Sequence, residues 1–487
     1  MISAISWVPK GALKSQPVMA DPPSKEEMEN LINSVNMERS GDSENEDNDE
    51  DMDVGPSKQD DEVAQALSVA DALGKTSEEK FDDITAGLRE LDMENYDEEE
   101  EGVELFSSGI GDLYYPSNEL DPYLIDQSDD DSEDLEDMTI NPTDSIIVCT
   151  CNENEMNRLE VWILEDSNSS EINMYVRNEI IISAFPLCTA WSDFHLKGEE
   201  RGSFIAVGSM DPSIEIWDLD VVDDIEPCTV LGGMKKRKGR RRSKPDKYKD
   251  GSHTDAVLSL AWNAEYKNVL ASASADKQVK IWDVVAGKCE ITMEHHSDKV
   301  QAVAWNHYAP RVLLSGSFDH TVVMKDGRIP THSGFKWSVA ADVESLAWDP
   351  HAEHSFVVSL EDGIVKGFDV RAAQSNSTSE PTSVFTLHAH DKAATSISYN
   401  RSAANLLATA STDKSVKLWD LSNQPSCIAS HNPKVGAIFA ISFSKDDPFL
   451  LAIGGAKEKL QVWDTLSASG VSQRYGTLSK NKPQTGS

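Results

Sequence analysis

The sequence predicts an all-β chain: a seven-bladed β-propeller with a long disordered acidic insertion in blade one. Three observations carry this expectation. Short apolar strands end in an aromatic residue at steps of 43 residues, and a second aromatic marker keeps register with the first. A lone apolar strand at the start is cut off from the rest by a block of acids.

The 487 residues are 39% hydrophobic and carry a formal net charge of -41. Residues 21 to 140 hold 41 of the 85 acids and only 6 of the 44 bases, so the remainder is mildly acidic. A stretch so charged and so poor in apolar surface cannot offset chain entropy, and it is expected to be mostly disordered. Within it, Ser24 and Glu27 stand at capping-box spacing, with Met28, Leu31, Ile32 and Val35 on one face of a short helix. Residues 105–125, LFSSGIGDLYYPSNELDPYLI, gather aromatics and aliphatics and read as a docking segment. Ser43 and Ser128 sit among acids as candidate phosphosites.

Six scattered cysteines without paired ligand spacing fit a reduced compartment. Cys149 and Cys151, in IIVCTC, read as part of a buried strand rather than as metal ligands. No apolar run reaches the length of a membrane span, and the N-terminus lacks a basic region followed by a long apolar one, so secretion is not expected. The expectation is a soluble intracellular protein with no membrane partner, cofactor, metal or small-molecule substrate.

The first marker closes the innermost strand of each blade. VLSLAWNAE, VQAVAWNHY and VESLAWDPH carry Trp262, Trp305 and Trp348; Tyr399 and Phe443 follow at steps of 51 and 44, and Trp191 lies upstream. The second marker ends the third strand. IEIWDL, VKIWDV, VKLWDL and LQVWDT carry Trp217, Trp282, Trp419 and Trp463, Phe368 takes the slot in GFDV, and Trp162 takes it in LEVWILE. Asp211, Asp276, Asp362 and Asp413 each stand six residues before this slot, and the same offset from Asp319 gives Lys325, a degenerate blade. That makes seven third-strand slots but only six inner slots after residue 141. MISAISWVPKG has the form of VESLAWDPH and supplies the missing one, in preference to an outer-edge strand or a leader.

The boundaries follow. Residues 1–11 hold the inner strand of blade one, 12–140 the insertion, 141–478 the propeller with a basic loop at 234–250, and 479–487 a disordered tail. If every blade is a four-stranded antiparallel meander, the first-to-second and third-to-fourth turns share one face and the connections between blades share the other. The acidic insertion then leaves from the first face and the basic loop from the second.

At these markers the chain resembles WD-repeat propellers over about residues 141–475. The resemblance implies buried polar tetrads of His, Ser or Thr, Asp and Trp, here His253, Ser272, Asp276 and Trp282, and again His390, Thr409, Asp413 and Trp419; His296 fits the first slot of blade four. Their residue types are those of a catalytic triad, but a recurring set points to structure rather than catalysis. No nucleotide loop, carboxylate pair or activated nucleophile accompanies them, so no enzyme is expected.

Residues 235–249 contain ten Lys and Arg. Lys235, Lys236, Arg237, Lys238, Arg240, Arg241, Arg242 and Lys244 suit a nuclear-import signal or a contact to RNA phosphates, and without an aromatic among them base stacking is not indicated. Asp326 with Arg328 and Asp369 with Arg371 repeat 43 residues apart and resemble the motif by which substrate receptors of cullin-RING ubiquitin ligases meet their adaptor, although both lack its Trp.

MISAISWVPKG, the acidic stretch, AFPLC before Trp191 and SMDPSIEIWDLD around Trp217 together closely resemble the periodic tryptophan protein 1 family along essentially the whole chain. That resemblance implies a nuclear and nucleolar scaffold in ribosome biogenesis, acting in large-subunit assembly and ribosomal RNA processing with pre-ribosomal proteins and rRNA as partners. Histone association in some members leaves open a chromatin-binding regulator of rRNA gene transcription. The Asp-x-Arg repeats leave open a ligase substrate receptor.

Overall fold

Segments such as VLSLAW and VKIWD alternate small or branched residues, which suits a pleated surface buried on both sides by neighbouring sheets. In the computed structural model they form seven antiparallel sheets, the blades of a propeller. The structure describes residues 1–19, 138–153, 156–165, 173–196, 202–235, 247–329, 333–372 and 382–479. Residues 20–137 of the acidic stretch, with the helix after Ser24, the docking segment, Ser43 and Ser128, and residues 480–487 of the tail lie outside the described residues.

The innermost strands are Ile2–Val8, Pro186–Phe194, Val257–Trp262, Val300–Trp305, Val343–Trp348, Ser396–Tyr399 and Ile438–Phe443. In blade one, Ile2–Val8 pairs antiparallel with Ser145–Glu153, followed outward by Met156–Leu164 and Met174–Ile181. Cys149 and Cys151 are wholly buried within the second of these strands. A register shift near the start of the inner strand recurs in six blades, adding local twist where the strands crowd the axis.

Blades join by packing the inner strand of one against small residues on the second strand of its predecessor. A Cβ placed on Gly316 of blade four would lie 2.5 Å from Val343 Cγ1 of blade five. Gly454 of blade seven stands in the same relation to Ile2 of blade one, so the first and last blades meet as the others do. The indoles add a second tie: Trp305 Nε1–H donates to Ala261 O at 3.0 Å, Trp348 to Ala304 O at 3.2 Å, and Trp7 to Ser442 O at 2.8 Å. Each reaches the inner strand of the preceding blade.

Blade seven departs from the four-stranded meander. Among the described residues it has three strands, Ile438–Phe443, Leu450–Gly455 and Gln461–Asp464, after which the chain turns into a helix, Ser469–Ser479. Asp464 caps the intervening turn by accepting from Leu466 N at 2.9 Å. The helix buries Val471 completely, and Arg474 pairs with Asp420 of blade six at 3.2 Å.

Both ends of the insertion are tied beside blade two. Lys14 N donates to Asp220 Oδ1 at 2.8 Å, Val18–Met19 bridges Val221–Val222 in parallel, and Ile140 N donates to Ser15 O at 2.9 Å. The basic loop starts and ends on a short ladder, with Lys235 N to Lys247 O at 2.8 Å and Lys249 N to Gly233 O at 2.9 Å. It therefore leaves from a connection between blades rather than from a turn within one.

Candidate interaction surfaces

The structure brings each tetrad together. Trp282 Nε1–H can only donate, and its acceptor is Ser272 Oγ at 2.8 Å. The Ser272 hydroxyl then gives its proton to His253 Nε2 at 2.7 Å, which fixes the imidazole as the Nδ1–H tautomer donating to Asp276 Oδ2 at 2.8 Å. Burial holds His253 below its ordinary pKa, in keeping with a neutral ring, and burial of Asp276 is outweighed by its bonds to His253 and to the turn amides, which hold the carboxylate low. His390, Thr409, Asp413 and Trp419 repeat the arrangement at 2.8, 2.9 and 3.0 Å. Ser272 and Thr409 are both fully buried beneath an indole, so no substrate can reach either hydroxyl. These residues fix the turns of their blades.

Blade four is built differently. His296 reaches Asp319 at 3.0 Å and Ser315 Oγ at 2.9 Å, but the indole slot holds Lys325, itself 7% exposed. His295 takes the place of the indole at Ser315 Oγ, 2.9 Å away, and burial together with His296 and Lys325 pushes its pKa down to about 3.

The paired Asp-x-Arg turns lie on blades four and five. Arg328 donates from Nε and NH2 to Asp326 at 3.0 and 2.6 Å, and Arg371 does the same to Asp369 at 3.0 and 2.6 Å. Arg328 holds the Asp326 carboxyl down to about 2, and Arg371 lowers Asp369 likewise. Both guanidinium groups remain largely exposed, and each fork is engaged by the aspartate of its own turn.

Of the basic loop, Lys235 falls within the described residues, exposed and 3.2 Å from Asp250. Lys236, Arg237, Lys238, Arg240, Arg241, Arg242 and Lys244 lie outside them.

Sequence reasoning passed over the basic residues at one mouth of the central channel. His307, Arg401 and Lys445 each follow an inner-strand aromatic by two residues, the position that turns into the channel opening. That offset was readable from the repeat.

A family model described as WD domain, G-beta repeat, matches residues 247–283, 287–324 and 381–420, falling on blades three, four and six. An uncharacterized WD repeat-containing protein of Schizosaccharomyces pombe is 38% identical over 418 residues, covering 83% of this chain and 78% of that protein. Periodic tryptophan protein 1 of Saccharomyces cerevisiae is 29% identical over 546 residues, 99% of this chain and 91% of its own length. The Periodic tryptophan protein 1 homolog of Drosophila melanogaster is 28% identical over 72% of this chain and 74% of its own. WD-repeat propellers are protein-interaction scaffolds, and the tetrads, the inner tryptophans and these relatives lead to one conclusion: the chain belongs to the periodic tryptophan protein 1 family of WD-repeat proteins.

Proposed function

We propose that the protein is a non-catalytic scaffold for assembly of the large ribosomal subunit and for ribosomal RNA processing, working in the nucleus and nucleolus. The observation that carries this reading is likeness along the whole chain, which spans 99% of these residues when aligned with the yeast Periodic tryptophan protein 1 and therefore takes in the acidic insertion as well as the ring. The physical parts suit the task. A ring of blades offers many independent faces, the acidic stretch is matched in charge to basic ribosomal proteins, and the Lys/Arg loop suits import or rRNA phosphate contact.

Purification of the tagged full chain from nuclear extract, with and without nuclease, tests the reading. Large-subunit precursors carrying rRNA are expected. Nucleosomes alone would replace the reading with histone binding, and a ligase adaptor alone would replace it with the receptor role. The receptor role requires Arg328 and Arg371 to release their own aspartates to a partner.

A further inference from the structure

Six residues placed two positions beyond the inner aromatics line one opening of the channel, a cavity of about 550 Å3: Asp193, Ala264, His307, Pro350, Arg401 and Lys445. Three of the six are basic, and they come from blades four, six and seven. A fourth base at this opening, Lys267, is neutralised by Asp193 at 2.6 Å. Asp446, next to Lys445 in the chain, turns its carboxylate to the amide of Lys10 at 2.8 Å. Among the described residues, no carboxylate stands within ion-pair distance of His307, Arg401 or Lys445.

These basic groups feel one another. Burial and then Arg401 press the Lys445 ammonium down to about 8, against the opposing pull of Asp446 and Asp193. Burial, Arg401 and Lys445 likewise lower His307, and burial lowers Arg401. Like charges crowded in a partly desolvated cavity are unfavourable unless a counter-charge enters. Such a cluster is unexpected in a protein of net charge -41 unless an anion belongs there.

The rim also narrows the kind of anion. The face of Trp191 is covered by Lys445, whose Nζ lies 4.8 Å from the ring centre. The indole N–H groups of Trp7, Trp305 and Trp348 are engaged by the backbone of the preceding blade. With the face of Trp191 taken and the rings of Trp7, Trp305 and Trp348 buried, the opening presents positive charge with little open aromatic surface, which favours carboxylates over nucleotides. The wall between the cations is lined by small residues such as Ser6, Ala304 and Ser398, leaving room for an extended backbone.

We propose that this mouth binds the acidic side chains of an extended peptide segment presented by a partner protein, with Arg401 and Lys445 as the receiving cations and His307 as a hydrogen-bond donor beside them. The proposal deepens the scaffold reading by naming the chemistry of one partner, and it rests on that reading. The test is binding by the isolated full chain, so its failure is separable from the absence of pre-ribosomal particles in extract.

The probe is a fluorescein-labelled ten-residue glutamate-rich peptide titrated at low salt by anisotropy, with acetylation of Lys445 followed in parallel by mass spectrometry at pH 8. Binding is expected to weaken as salt rises, and saturating peptide is expected to slow Lys445 acetylation. Joint Arg401→Glu and Lys445→Glu substitution should weaken binding about tenfold or more, whereas Lys457→Glu, on the opposite face, should leave it unchanged. Lys445→Gln is the milder variant should the double reversal fail to fold, and it should give a smaller loss in the same direction. The proposal is overturned by an absence of binding, by binding indifferent to these substitutions at the mouth, by unprotected Lys445, or by a single-stranded oligonucleotide of equal charge displacing the peptide.

Discussion

Replacing Trp7 with Ala tests how far the first ten residues hold the ring shut. Trp7 is 4% exposed and packs with Ile2, Ile147, Leu164, Ala452 and Leu460, residues drawn from both blade one and blade seven. Removing a buried aromatic of about 200 Å2 at about 25 cal/mol per Å2 costs about 5 kcal/mol, consistent with the roughly 3–5 kcal/mol seen for core Trp→Ala changes. The lost indole bond leaves Ser442 O without its donor and adds about 1 kcal/mol. A loss of about 4–6 kcal/mol is therefore expected, a large share of the roughly 5–15 kcal/mol that holds a domain together. Trp7→Phe keeps most of the ring area and gives up the hydrogen bond, so about 1–2 kcal/mol should follow. Urea denaturation monitored by far-UV circular dichroism measures both, and deletion of residues 1–10 should be the most severe change. A Trp7→Ala shift below about 1 kcal/mol, the size of an ordinary surface substitution, would refute the reasoning and detach this strand from the stability of the ring.

Ser272→Ala strips the acceptor of Trp282 and the partner of His253 at once, and a loss of about 2–4 kcal/mol in the same assay is expected, whereas Ser272→Thr should be mild because Thr409 fills that slot in blade six. Glu344, near the opposite end of the channel, is raised from 4.5 to about 7 by burial and then by Glu361 and Asp342. The native carboxyl thus keeps its proton where the unfolded chain has lost it, and this group's contribution to stability falls as pH rises from about 4.5 to about 7. Glu344→Gln should therefore match the wild type below this window and exceed its stability above it by about 2 kcal/mol or less, as melting curves at pH 4.5 and 8 would record. Arg328→Ala with Arg371→Ala should leave the melting temperature unchanged, because both side chains are exposed and, among the described residues, bonded within their own turns.

The seven-blade count was legible because the inner and third strands keep their slots even where individual residues drift: Phe368 and Lys325 still stand six residues after an aspartate, and Tyr399 fills an inner slot despite its longer step of 51. Counting those slots made Trp7 necessary, since a ring of seven third strands needs seven inner ones. Blade seven was less legible. That its sheet holds three strands among the described residues leaves no mark in the aromatic pattern, and the helix that follows, SGVSQRYGTLS, carries Val471, Tyr475 and Leu478 at helical spacing but among serines and glycines that weaken the signal. The make-up of blade four could be foreseen only in part. Lys325 announced a lost indole, but the use of His295 at Ser315 depends on a packing between neighbouring side chains that spacing does not encode. The channel mouth was hidden for a related reason: His307, Arg401 and Lys445 are far apart in sequence, and only closure of the ring makes them neighbours.

The joint between the last and first blades has a further consequence. From blade one to blade seven the polypeptide itself crosses each successive boundary, but among the described residues none links blade seven back to blade one covalently. That boundary is a seam, fastened by Gly454 against Ile2, Trp7 to Ser442, Lys10 to Asp447 at 2.8 Å and Ser145 to Asp447 at 3.1 Å. A closed ring opens where no backbone has to be stretched, so transient breathing should concentrate there. Native-state hydrogen exchange would then find the amides of Ile2–Val8 and Ile438–Phe443 opening together, ahead of the inner strands of blades three to five. During synthesis Ile2–Val8 also has to wait for blade seven before the circle can close, leaving its apolar side uncovered until Ile438–Phe443 has been made.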